Sequence, residues 1–333
     1  MSGAAVPSIR ARATRIAPGI ALMGGIAVAS HAVAAVTPLS ALIVAVATGV
    51  VVANFVGTPA VVRPGLDSHK LLLETGIVLL GARLSLAELA GIGPTVVALA
   101  AGVVLFGVVY TETLSRFVFG LGDRTGSLLA AGASVCGVSA VVAVAGSIDA
   151  AEREIAYAAA TVLVFDAVTL VTFPVAAELL GLSGETFGIW AGLSMFSTGP
   201  VAAAGFAYSQ TAGQWATLTK LVRNAFIGLL VIGYSATYTK GSGNVTTAWN
   251  RFPKFIAGFV LVVVVANLGL VSAGQRATLV TASDWLFALA FAGLGFEITV
   301  GEMVDTGVRP LLLVLVHLLT VSALSLVVVL ALV

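Results

Sequence analysis

The chain has 333 residues, of which 59% are hydrophobic and 9% charged, and its net charge is +1. A soluble globule needs a polar surface and carries roughly 25% charged residues, so this composition excludes one; the absence of any dense basic stretch excludes a nucleic-acid partner. A single cysteine, Cys136, leaves no intramolecular disulfide to form.

Backbone groups in lipid must be satisfied internally, so a membrane-spanning chain is helical or a closed barrel. The apolar runs here are continuous, about 20 residues long and not alternating, which selects helices. Charges and Gly/Pro turns divide the chain into about eleven spans: 16–35, 38–57, 69–92, 94–115, 127–147, 154–180, 186–209, 213–236, 253–272, 284–306 and 309–332. The expected fold is an all-α polytopic membrane protein, with an N-terminal segment over 1–15 and one transmembrane domain over 16–333. Arg10, Arg12 and Arg15 before an apolar run ending at His31-Ala-Val-Ala-Ala35 also outline a signal peptide. That run, about 20 residues long, exceeds a typical signal core and reads better as a retained first span.

With the N-terminus in the cytoplasm, the inside segments hold Arg10, Arg12, Arg15, Arg63, Lys70, Arg116, Arg124, Lys240, Arg251, Lys254 and Arg309, while the outside ones hold only Arg83, Arg153 and Arg276. This bias follows the positive-inside rule and persists along the chain, which supports an odd number of spans in a cell membrane. Span three reads Gly81-Ala-Arg83-Leu-Ser85-Leu-Ala-Glu88, and span ten reads Gly295-Phe-Glu297-Ile-Thr299-Val-Gly-Glu302, at a constant offset of 214 that also aligns Gly93 with Gly307. The two spans run in opposite directions, so the repeat is inverted, as in many secondary transporters.

Polar groups in lipid are costly and so are functional candidates. Lys220 and Arg223, at i and i+3 on one face of span eight with Asn224 alongside, suit an anion through a point charge and a planar fork; snorkelling to headgroups is the bland alternative. Asp166, mid-way along span six, suits a proton, Na⁺ or a charge pair. Arg83, Glu297 and Glu74 are further candidates for coupling or pairing. Two segments have the composition of broken helices: one around Ser134, Gly137 and Ser139, the other around Ser197, Thr198, Gly199 and Pro200. Unwound ends there expose N–H groups that can hold an anion, although small residues also serve close helix packing. By this span count the breaks fall on parallel spans, five and seven. His31, His69 and His317 are scattered, and no metal, nucleotide or triad motif appears, so neither cofactor nor enzyme activity is expected.

The run Gly76-Ile-Val-Leu-Leu-Gly81-Ala-Arg83-Leu-Ser85-Leu, together with Ser134-Val-Cys136-Gly137-Val-Ser139-Ala, Phe187-Gly188-Ile-Trp190-Ala-Gly192 and Lys220-Leu-Val-Arg223, resembles the YeiH-type family of proposed sulfate exporters. That family is similar to the cation/proton antiporter and anion transporter group, with its inverted repeats and crossing broken helices. The resemblance implies a transporter in a bacterial-type or archaeal plasma membrane, a small anion as substrate, H⁺ or Na⁺ as coupling ion, and lipid as surroundings, with a homodimer left open. One stretch departs from the pattern. Where the family commonly has Ser-Ile-His-Glu-Val-Ala-Gln-Val, this chain has Ser194-Met-Phe-Ser-Thr-Gly-Pro-Val201. Nothing carried by that His-Glu pair transfers to this chain, whereas Lys220 and Arg223 match. A Na⁺- or H⁺-coupled carrier of an organic acid, amino acid or sulfonate is the alternative within transport; an intramembrane enzyme or a non-transporting bundle is the alternative outside it. The topology is tested by a reporter fused after Val333, which is expected to read as external; a cytoplasmic signal would mean an even number of spans.

Overall fold

The computed structural model describes residues 9–37, 41–83, 93–238, 254–297 and 308–333. All regular elements among them are helices: α1 (Ile9–Val36), α2 (Ala41–Val51, continued by a π-helical turn Val52–Val56), α3 (Arg63–Leu66), α4 (His69–Leu80), α5 (Gly93–Thr113, continued by a π-helical turn Leu114–Val118), α6 (Asp123–Ala131), α7 (Val138–Ala145), α8 (Glu152–Leu179), α9 (Gly184–Ser194), α10 (Thr198–Tyr208), α11 (Gln210–Ala225), α12 (Ile227–Tyr238), α13 (Lys254–Asn267), α14 (Ala273–Glu297) and α15 (Val308–Leu332). Among the described residues six helical stretches are long and apolar enough to cross a membrane: Thr14–Val36, Gly93–Val118, Arg153–Leu179, Gln210–Tyr238, Ala273–Glu297 and Val308–Leu332. Val44–Val56 and Lys254–Asn267 are apolar but shorter. The fold is thus a polytopic helical membrane protein. Of the repeat, Ser85, Glu88, Thr299, Glu302 and Gly307 lie outside the described residues, as do the ends of the expected spans 69–92 and 284–306.

The chain falls into two compact units, residues 1–84 with 258–299 and residues 85–257 with 300–333. In the first, α2 and α4 pack on α14 through glycine. A Cβ on Gly49 or on Gly295 would overlap backbone of the facing helix, Ala292 O and Val46 O respectively. In lipid no hydrophobic force drives helices together, so backbone proximity through small residues supplies the attraction. On the other flank Ser283 Oγ donates to the Gly76 carbonyl at 2.7 Å. His69 meets Gly293 while Gly76 meets Ser283 and Phe287, so α4 and α14 run antiparallel, in the sense expected of spans three and ten.

In the second unit α9 and α10 both lie tightly on α11. A Cβ on Gly188 would stand 2.6 Å from Trp215 Cβ, and one on Gly192 2.6 Å from Thr219 Cβ. Gly205 approaches Gly213 and Ala216 in the same way. α15 is tied to α9 by Trp190 Nε1, which donates to Ser322 O at 2.9 Å, and by the Ser194–Ser325 hydroxyl pair at 2.8 Å. It is tied to α5 by Thr111–His317 at 2.6 Å and Tyr110–Thr320 at 3.1 Å.

Replacing Gly295 with Val is expected to destabilise the folded protein by at least about 1–3 kcal/mol, because the added atoms meet rigid backbone. Gly102→Ala, where a Cβ meets nothing within 4 Å, is the neutral control; thermal unfolding in detergent compares the two.

Candidate functional site

Two interrupted helices meet in the second unit. In the first, α6 widens into a π-helical turn over Gly132–Cys136 and stops at Gly137, whose φ of 67° and ψ of −138° suit only a residue without a Cβ; α7 then begins. In the second, α9 ends at Ser194, Met195 and Ser197 are extended, and α10 starts at Thr198. Pro200 sits in the first turn of α10, where its missing N–H has no intrahelical acceptor to lose. Both interruptions fall where small hydroxyl residues around glycine predict them. They also touch, because a Cβ on Gly137 would overlap Ser197 Oγ.

An interrupted helix leaves orphan carbonyls at the end of its first half. Here α11 satisfies them. The glycines at 188 and 192 let α11 approach closely enough to bring Lys220 and Arg223 under both breaks. Lys220 Nζ donates to Val135 O at 2.7 Å and Met195 O at 3.0 Å. Arg223 donates through Nε to Ser134 O at 2.7 Å, through Nη2 to Ala133 O at 2.6 Å, and through Nη1 to Leu193 O and Met195 O, both at 2.7 Å, with Gly192 O at 3.4 Å. Six carbonyls, three from each break, thus receive two cations that are 0% exposed. This differs from the expectation that Lys220 and Arg223 hold an anion through a point charge and a planar fork. The negative ends of two half-helices are the partner, and the fork clamps backbone.

The opposite ends of the breaks carry N–H groups and positive dipole ends. Asp166 of α8 accepts the Ser197 N–H at 2.9 Å through Oδ1. Asn224 Nδ2 donates to Thr198 Oγ1 at 3.0 Å, while its Oδ1 is buried without a hydrogen-bond partner among the described residues. Ser139 is exposed, Ser197 and Thr198 are half-buried, and Gly199 is buried. The accessible side of the crossing is therefore the hydroxyl-lined side, where α7 and α10 begin. Ser134 is fully buried on the carbonyl side, its Oγ unpartnered among the described residues.

The remaining candidates lie elsewhere. Glu297 pairs with Lys70 at 2.8 Å and His69 at 3.4 Å within the first unit. Glu74 is half-buried on α4. Arg83 ends a 3₁₀ turn, and its side chain lies outside the described residues. One polar cluster goes unnoticed in the sequence. Glu112 of α5 receives Ser127 Oγ at 2.6 Å and Tyr234 OH at 2.7 Å, and pairs with Arg116 at 3.0 Å. Its position near an expected span end makes it look like an ordinary interfacial charge.

Comparison with known proteins shows the family. The profile of a family described as conserved hypothetical protein 698 matches residues 18–314. A UPF0324 membrane protein of Nitratidesulfovibrio vulgaris is 32% identical over 281 residues, 81% of this chain and 78% of that protein. This chain belongs to the UPF0324 membrane protein family. Other relatives are the UPF0324 inner membrane protein YeiH of Escherichia coli, 30% identical over 90% of this chain and 86% of its own, and the UPF0324 membrane protein TauZ of Paracoccus denitrificans, 30% identical over 74% of each. The YeiH resemblance is thereby borne out. No solved structure matches the chain significantly.

For this UPF0324 protein the clamp makes a clear prediction. Arg223→Lys keeps the charge but cannot reach carbonyls on both breaks at once, so it should cost at least about 2 kcal/mol, the worth of one or two charge-assisted hydrogen bonds. The thermal midpoint of the purified variant measures it; an unchanged midpoint would mean the guanidinium bonds contribute nothing to the folded state.

Proposed function

We propose that this protein is a secondary transporter of a small inorganic anion, a sulfur oxyanion such as sulfate, exported across the cell membrane. The observation that carries the reading is the touching pair of helix breaks. Two half-helix N-termini and three hydroxyl side chains, Ser139, Ser197 and Thr198, border its accessible side. Among the described residues two cations, Lys220 and Arg223, stand against one carboxylate, Asp166, in the same crossing. Lys220 and Arg223 neutralise the carbonyl ends, Asp166 caps α10, and the net positive charge favours an anion resting on N–H and O–H donors. The relatives' membrane character supports a membrane role; the substrate is an inference from this chemistry.

The same reading takes the chain to cross the membrane about eleven times as an inverted repeat with the N-terminus inside. The antiparallel packing of α4 on α14, and the packing of the helices that follow them, α5 on α15, support it. Alternating access in such folds moves one bundle around a midplane site. A crossing tied to a single helix by six carbonyls suits a block that moves as a unit.

A second reading has its own observation. Asp166 lies at the crossing and holds the Ser197 N–H, which fits H⁺- or Na⁺-coupled movement of an organic acid, amino acid or sulfonate. Proteoliposome flux of sulfate, sulfite, carboxylates and sulfonates, with and without a Na⁺ or pH gradient, separates the readings. Under anion export, Ser197→Ala and Thr198→Ala should each weaken sulfur-oxyanion transport about tenfold, the loss expected of one hydrogen bond to a charged ligand. Asp166→Asn should then preserve flux. Loss of cation-driven flux in Asp166→Asn would favour the coupled reading, and no flux of any solute by the wild type would leave a non-transporting bundle.

A further inference from the structure

A second feature of the helical unit 85–257 with 300–333 has no part in the crossing. Between the C-terminal ends of α5 and α12 lies a groove of about 560 Å³. Its walls are apolar, with Val108, Phe117, Leu229 and Leu230, and Gly233 lines it between them and the polar end. Its polar end is built from Glu112, Arg116 and Tyr238. This end coincides with the end of the membrane-crossing stretch Gly93–Val118, so it stands at headgroup depth, while the apolar wall runs toward the hydrocarbon.

The polar end is pre-organised. A π-helical turn, a distortion that often marks functional positions, re-aims Arg116. Glu112 Oε2 holds its Nε at 3.0 Å, and Asp123 stands 3.6 Å away. Tyr238 OH lies 3.5 Å from Nη2. Nη1 has no partner among the described residues, and the side chain is 42% exposed. Glu112 is engaged on both oxygens, by Ser127 and Tyr234 on one and Arg116 on the other. Asp123, by contrast, is 70% exposed. At the head of the apolar channel the groove therefore offers an exposed guanidinium edge, and beside it stands the exposed carboxylate of Asp123, which pairs with the same guanidinium at 3.6 Å.

We propose that this groove holds a phosphatidylethanolamine molecule of the surrounding membrane, its phosphate on Arg116, its ammonium on Asp123 and an acyl chain along Val108, Leu229 and Leu230. Charge complementarity selects this occupant. A zwitterion places a phosphate and an ammonium two carbons apart, matching the Arg116–Asp123 pair. A primary ammonium donates hydrogen bonds to a carboxylate, and a trimethylated one has no N–H to give.

The test offers purified, delipidated full-length protein equal amounts of phosphatidylethanolamine, phosphatidylglycerol and phosphatidylcholine with identical acyl chains, and reads bound lipid by native mass spectrometry. Phosphatidylethanolamine should be retained about tenfold over the other two, the difference expected of one charge-assisted hydrogen bond. Arg116→Gln should erase that preference. Gly233→Phe should block retention by filling the groove without touching a charge; a Cβ at Gly233 meets nothing within 4 Å, and an unchanged thermal midpoint shows that the variant folds. Equal retention of the three lipids by the wild type, or undiminished retention in Gly233→Phe, overturns the proposal. So does a wild-type dimer that Gly233→Phe converts to monomer with lipid binding unchanged, since a second copy would then fill the groove.

Discussion

The structure of the crossing depends on one interaction, the donation of every assigned Lys220 and Arg223 hydrogen bond to backbone carbonyls. An unpaired cation at the centre of a membrane helix costs roughly 2.5–3.5 kcal/mol on insertion scales. A buried carbonyl without a donor costs about 1–3 kcal/mol. Each defect is untenable alone in lipid. Together they cancel, because a broken helix presents several carbonyls in a small space and a guanidinium presents several N–H groups in a fixed fork. The breaks make the cations tolerable, and the cations make the breaks tolerable. The arrangement also explains why both residues sit on one face of one helix, since a single element can then hold two breaks in contact.

Close approach is the second requirement, and glycine meets it. Gly188 and Gly192 on α9 and Gly205 on α10 let two helices lie against α11 with backbone nearly touching side-chain stems. A wider spacing would lift the ends of Lys220 and Arg223 away from the carbonyls. The Phe187-Gly188-Ile-Trp190-Ala-Gly192 run therefore acts indirectly. Its glycines set a distance, and Trp190 anchors the other face of α9 to α15.

Much of this was legible in the sequence, and the rest was hidden for definable reasons. Length and continuity of the apolar runs show the helices. Gly137 between hydroxyl residues, and Gly199-Pro200 after Ser197-Thr198, show the breaks, because unwinding has a local composition. Buried cations at i and i+3 show that Lys220 and Arg223 need partners. What those partners are is a matter of tertiary packing: a carbonyl exists at every residue, so composition gives no sign of which ones lack a donor. The same limit hides Glu297, whose matches to Lys70 and His69 arise only when α4 and α14 lie antiparallel, and Glu112, whose partners Ser127 and Tyr234 come from two other helices.

The division of labour at the crossing bears on how this chain departs from the resemblance in its second break. The surface proposed to bind solute consists of backbone N–H ends and short hydroxyl side chains, and behind it Lys220 and Arg223 donate to backbone carbonyls. On the proposed reading such a site does not depend on a titratable side chain in the second break, where this chain has Phe196-Ser197 in place of the expected His-Glu pair. Phe196 is fully buried there, edge-on to Phe165 at 6.4 Å, so the position has become part of the packing. On the proposed reading, the space between the two helix starts meets the solute, and Asp166, whose Oδ1 holds the Ser197 N–H, borders that space. The clamp sets the two sides of the crossing apart: the carbonyl ends are spent on Lys220 and Arg223, while on the opposite side the start of α10 is held by Asp166 through the Ser197 N–H.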